Sequence, residues 1–125
     1  MAITVLPPKE HIEAECGCLT PPLYGDNFNI HRLAGYDETK NRFGEVSIET
    51  CKQCGTKWLH YFVEYEAFRK SGRWYRGVIT DEVSLAVTPQ NSVAILEGLD
   101  WWVSGGSYFN GIIKKGHGHL KLSLY

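Results

Sequence analysis

The chain has 125 residues, of which 43% are hydrophobic and 22% charged. This is an ordinary globular balance that excludes an intrinsically disordered chain and makes one domain the simplest organisation. A net charge of −1 and a pI near 6.5 leave no global basic field to draw in nucleic acid. No apolar run approaches the ~20 residues that a membrane-spanning helix needs. The start, residues 1–8, has only a short apolar run before two prolines and does not read as a secretory signal, so the expected compartment is the cytoplasm.

In chain order, residues 8–15 allow one or two helical turns leading into Cys16-Gly17-Cys18, and Pro21-Pro22 and Gly25-Asp26-Asn27 mark loops. A strand is expected over 28–36 and a polar turn over 37–41. Val46-Ser47-Ile48-Glu49-Thr50 alternates apolar with polar residues up to Cys51, the mark of a half-buried strand. From 57 to 69, one register (Leu59, Tyr61, Val63, Tyr65, Ala67) is apolar and the other (Trp58, His60, Phe62, Glu64, Glu66, Phe68) is mixed, which predicts one long strand with a buried face. Ser71-Gly72 supplies a hairpin turn, and 73–79 continues as the partner strand.

The carboxyl-terminal third reads differently. Thr88 is placed as an N-cap and Pro89 as the first residue of a helix that buries Val93, Ile95 and Leu96 and stops at Gly98. Residues 100–103 extend that helix or begin another, and 120–125 form a last edge strand. The expected fold is therefore α+β: a central antiparallel sheet of three to four strands with cysteine knuckles and a C-terminal helical segment, as one domain over 1–125.

The four cysteines fall in two close pairs, Cys16/Cys18 and Cys51/Cys54. A tetrahedral four-thiolate zinc site needs two such turns brought together, and Gly17 and Gly55 suit the tight backbone. Lys52 and Lys57 are placed to offset the charge of the thiolates. Two disulfides would require an oxidising compartment. A redox Cys-x-x-Cys would be expected at a helix start rather than between strands. An iron–sulfur cluster would use the same thiolates and stays open beside zinc.

The segment Cys51-Lys52-Gln53-Cys54-Gly55-Thr56-Lys57-Trp58 resembles the knuckle of zinc-ribbon proteins, and the Cys16/Cys18 turn resembles it loosely. The resemblance implies one structural zinc and a hairpin scaffold but no particular activity. The departures are the single residue between Cys16 and Cys18 and the length of chain after Cys54.

For a binding surface, aromatic and basic residues interleave: Trp58, Phe62, Phe68, Arg69, Lys70, Arg73, Trp74 and Arg76. Such a strip can stack and neutralise a single nucleic-acid strand, or, uncovered, serve as an apolar patch for a protein partner. His117 and His119, one residue apart, are candidate metal ligands, set against a solvated glycine-rich turn. Hydrolase, metalloprotease, deaminase and phosphate-loop motifs are absent, and Glu64 with Glu66 is a weak carboxylate pair. No catalytic residue is assigned. The leading expectation is a non-enzymatic zinc-binding interaction protein, an adaptor or an immunity- or antitoxin-type binder, whose partner is another protein. The runner-up is a nucleic-acid-binding domain using the 69–76 hairpin, and the third reading is a small enzyme.

Overall fold

A computed structural model of the chain describes residues 28–39, 42–65 and 69–122. Strands β1 (Phe28–Asp37), β2 (Gly44–Cys51), β3 (Lys57–Val63) and β4 (Arg73–Ile79) come first. Helices α1 (Asp81–Ala86) and α2 (Ser92–Gly98) follow, then β5 (Trp102–Gly105), a 3-10 turn (Ser107–Phe109) and β6 (Lys114–Gly116). The strands form one six-stranded sheet in sequential order, and every neighbouring pair is antiparallel.

The molecule is thus mainly β. This corrects the expected α+β fold with three to four strands: the sheet has six, and the helical segment amounts to two short helices. Of residues 100–103, expected to be helical, Trp102 and Val103 lie in strand β5. The strand expected from 57 onward ends at Val63, and a helix precedes the one expected after Thr88. That second helix starts at Ser92, because Thr88 and Asn91 close a turn on each other first: Asn91 Oδ1 accepts from the Thr88 N–H at 2.8 Å. Of the turn expected over 37–41, Asp37 ends β1 and residues 40–41 lie outside the described residues, as do the amino-terminal turns at 8–15 and residues 66–68 and 123–125. Residues 120–122 of the expected last strand are not in a strand.

Side chains of β2, β3 and β4 alternate between two unlike faces. Val46, Tyr61 and Tyr75 align across the sheet, as do Ile48, Leu59 and Gly77. These residues form the main core with Val93, Leu96, Trp102, Leu120 and Leu122, so α1 and α2 cover this face. Thr80 caps α1, its hydroxyl accepting from the Val83 N–H at 3.1 Å, and Asp81 and Glu82 favour the positive helix start. A bulge in β1 brings Arg32 opposite Ile48, and its guanidinium donates to the Ser84 carbonyl at 2.7 Å and the Val87 carbonyl at 3.3 Å. One cation thereby ties the edge strand to the orphan carbonyls at the end of α1.

The β1–β2 connection is organised by Asp37, which is fully buried. Its carboxylate accepts from the Tyr61 hydroxyl at 2.8 Å and the Thr39 N–H at 3.0 Å, and lies 3.3 Å from Arg42 Nε. Tyr61 also needs Gly44 beneath its ring, since a Cβ there would overlap it. Gly77 plays the same part under α2, where a Cβ would collide with Leu96 and Leu99. Gly77→Ala should therefore overpack this contact and destabilise the fold by about 1–3 kcal/mol, seen as a lower urea midpoint at unchanged m-value.

Candidate functional site

The face away from the helices carries Glu49 on β2, Trp58, His60 and Phe62 on β3, Trp74, Arg76 and Val78 on β4, and Val103 on β5. The sheet period of two puts Trp58, Phe62 and Trp74 together as the sequence suggests, but Trp58 is fully buried, and Phe62 and Trp74 are half-buried. Phe28 meets Trp58 edge-on at 5.8 Å, and Trp58 meets Trp101 at 5.9 Å.

The basic strip does not form one surface. Arg69 and Lys70 are exposed in the β3–β4 connection. Arg73 and Arg76 are three residues apart on one strand, so they point to opposite faces, and both are buried. Arg76 Nε lies 2.6 Å from Glu49 Oε1, and the guanidinium stacks between Phe28 and Trp74, 4.7 Å from each ring. Phe68 lies outside the described residues.

Sequence reasoning placed no weight on Glu49 or His60, yet they complete this cluster. His60 Nδ1 lies 3.4 Å from Glu49 Oε2, and its ring faces Trp74 at 6.3 Å. Burial, assisted by the Arg76 guanidinium, pushes the His60 pKa down to about 3. Ser47 sits directly opposite His60 on β2. An imidazole that binds its proton so weakly is a poor general base near neutral pH. Of the weak carboxylate pair, Glu64 is exposed and Glu66 lies outside the described residues.

At the end of β2 the chain turns through the second cysteine pair. Cys51 is buried and Cys54 half-buried, the Gly55 N–H donates to the Cys51 carbonyl at 3.0 Å, and the Cys51 N–H donates to the Thr56 carbonyl at 2.9 Å. Gly55 adopts φ +76°, a left-handed conformation that glycine takes without penalty. The Cys54 sulfur lies 3.0 Å from the Thr56 hydroxyl. One tight turn between two strands therefore carries two cysteine sulfurs, one of them beside a hydroxyl. Cys16 and Cys18 lie outside the described residues. Lys57 does not serve the sulfurs: its ammonium pairs with Asp81 at 3.0 Å.

Among the described residues, no group of three or more His, Cys, Asp and Glu side chains is placed to hold a metal. His117 and His119 are both exposed, and His119 Nδ1 lies 3.5 Å from Glu97. No helix among the described residues is long and apolar enough to cross a membrane. No protein-family model, curated protein or solved structure matches the chain.

The half-buried imidazole has a pH consequence. His60 binds its proton more weakly in the folded state, so the unfolded chain takes up the extra proton as pH falls below about 6.5. The stability present above that pH is then lost progressively towards pH 3, by at most about 1.4 kcal/mol per pH unit. His60→Gln should flatten this slope, as read from urea midpoints at about pH 7 and about pH 5.

Proposed function

We propose that this protein is a non-enzymatic, zinc-stapled interaction protein of the cytoplasm that docks a protein partner along strand β1. The observation that carries the reading is an apolar stripe on the outer strand. Ile30, Leu33 and Tyr36 lie opposite Glu49, Ser47 and Glu45, which puts all three on the face away from the helices, and they are 68%, 56% and 57% exposed. Exposed apolar residues gathered along one edge, rather than scattered, favour a partner surface.

Phe43 supports the same reading. It holds φ +54°, where a bulky side chain costs about 1–2 kcal/mol, and its N–H is pinned to the Asp37 carbonyl at 2.6 Å. The ring is 57% exposed, so burying it offsets little of that strain. An aromatic held outward at the end of the stripe suits a partner's pocket. Register breaks after Ile30 and after Leu33 cut the strand's edge into short stretches, so the partner packs on the side chains rather than adding a long strand. Glu38 and Glu45 border the stripe, which fits a partner segment with apolar residues flanked by Lys or Arg.

Zinc held by Cys16, Cys18, Cys51 and Cys54 would tie the amino-terminal turn to the β2–β3 turn, and a reducing compartment keeps such thiols available. The nucleic-acid reading retains Arg69 and Lys70 at the hairpin, with Arg73 and Arg76 withdrawn from the surface. Its mark would be binding that falls steeply with salt.

Panning a displayed library of short random peptides against the protein should enrich apolar sequences carrying Lys or Arg. Their binding should be lost in an Ile30→Lys/Leu33→Lys variant and retained in Leu85→Lys on α1. Peptides that bind all three proteins alike, or no enrichment, would overturn the docking surface. Phe43→Gly should relieve the backbone strain, leaving stability unchanged or higher by up to about 1 kcal/mol while weakening the selected peptides. Elemental analysis of untagged protein should find about one zinc per chain, and Cys51→Ser should lose it and lower the melting temperature. Metal-free protein that melts with and without chelator at one temperature would remove the zinc from the account.

A further inference from the structure

Beyond Asp100 the sequence holds Lys114, Lys115 and Lys121 and no acid. The fold gathers this charge around an open cleft of about 450 Å³ between the Ser107–Phe109 turn, β6 and residues 117–121. That volume is in the range of small-molecule sites. Its floor is Tyr75 and Trp102, whose rings meet edge-on at 5.3 Å, and one wall is Tyr108 and Phe109, edge-on at 5.2 Å. Lys114, Lys121 and His117 stand exposed at the rim. Among the described residues no Asp or Glu lines the cleft, and the nearest carboxylate noted, Glu97, lies 3.5 Å from the lining His119.

The walls are fixed rather than loose. The Tyr75 hydroxyl donates to the Lys121 carbonyl at 2.8 Å, and the Trp102 indole N–H donates to the Gly118 carbonyl at 3.0 Å. The Leu120 N–H donates to Glu97 at 2.9 Å. Two of these bonds run from the aromatic floor to the backbone of the opposite wall, so the rings and the lysine-bearing segment keep their spacing. The Lys121 side chain is left out of this scaffold.

A second observation adds to the charge. Arg73 is fully buried behind Tyr108, its guanidinium 4.4 Å from that ring and bonded to the Leu122 carbonyl. Its Nε and Nη1 have no hydrogen-bond partner, and it makes no ion pair, among the described residues. Arg73 thus places a buried positive charge directly behind the Tyr108 wall, which adds to the positive potential of the rim lysines. The cleft therefore presents aromatic rings for a flat apolar body and cations for a negative group.

We propose that this cleft binds a small aromatic anion, a flat ring bearing a phosphate or carboxylate, with the ring against Tyr108 and Phe109 and the anionic group between Lys114 and Lys121. The site is separate from the β1 stripe, at the other end of the sheet, and does not depend on the protein-docking reading.

Calorimetric titration of the full chain with AMP, with indole-3-acetate and with inorganic phosphate tests it. At least one aromatic anion should bind, more tightly than inorganic phosphate. A Lys114→Gln/Lys121→Gln variant should lose roughly tenfold or more in affinity, as expected for removing charge-assisted contacts. Binding of AMP alone identifies the phosphate class, and binding of indole-3-acetate alone the carboxylate class. Neither aromatic anion binding, inorganic phosphate binding as tightly as both, or undiminished binding by the folded double variant would overturn the proposal. Should the double variant fail to fold, Lys114→Gln alone, at an exposed position of the edge strand, gives the same reading.

Discussion

The ion pair between Arg76 and Glu49 is the interaction around which the second face of the sheet is arranged. Arg76 reaches from β4 across β3 to a carboxylate on β2, and its guanidinium is clamped between Phe28 at the start of β1 and Trp74 beside it. Four consecutive strands are thus engaged by one side chain. Two buried charges would be costly apart, and the 2.6 Å contact with stacking on both sides is what makes their burial tolerable. The same pair removes Arg76 from the surface, and the Arg76 guanidinium adds to burial in lowering the His60 pKa. It also fixes the strand that leads directly into Cys51.

From that arrangement the two faces acquire different characters. The helix-covered face is an ordinary apolar core, set by Tyr61, Tyr75 and Leu59 and by glycines that let α2 and the Tyr61 ring approach closely. The opposite face is polar and aromatic at its centre and apolar and exposed at its β1 edge. A partner that settled on Ile30, Leu33 and Tyr36 would therefore meet a rigid surface, because the strands beneath are locked from their centre outward. The aromatic, lysine-rimmed cleft lies at the β5–β6 end, where the strands are short and the carboxyl-terminal segment crosses the sheet.

Much of the middle of the molecule was legible from alternation alone. Leu59, Tyr61, Val63 and Tyr75 follow a period of two over strands long enough to reveal it, and they are the core. The strand starting at Phe28 and the partner strand over 73–79 were visible for the same reason. Strand β5 was not, because Trp102–Gly105 is short and buried throughout, which leaves no period to read. Strand β6 is Lys-Lys-Gly and carries no apolar residue at all. Helix α1 left a signal that went unused: Thr80 followed by Asp81 and Glu82 is a capping pattern. In the basic strip, parity was the overlooked evidence, since Arg73 and Arg76 cannot share a face of one strand. The Glu49–Arg76 contact had no sequence signature, being a diagonal reach over an intervening strand. The second cysteine pair forms the tight inter-strand turn that its spacing predicted, with Gly55 in the conformation that turn requires.

The most direct test of this account is a double-mutant cycle on the ion pair, with Glu49→Gln, Arg76→Met and their combination compared by urea unfolding. If the pair organises the face, either single change should destabilise by about 3–5 kcal/mol by stranding a buried charge. The double variant should then recover a coupling energy of at least about 2 kcal/mol. Single effects of a few tenths that simply add would show that the second face is held by its aromatic packing alone, and would contradict the account.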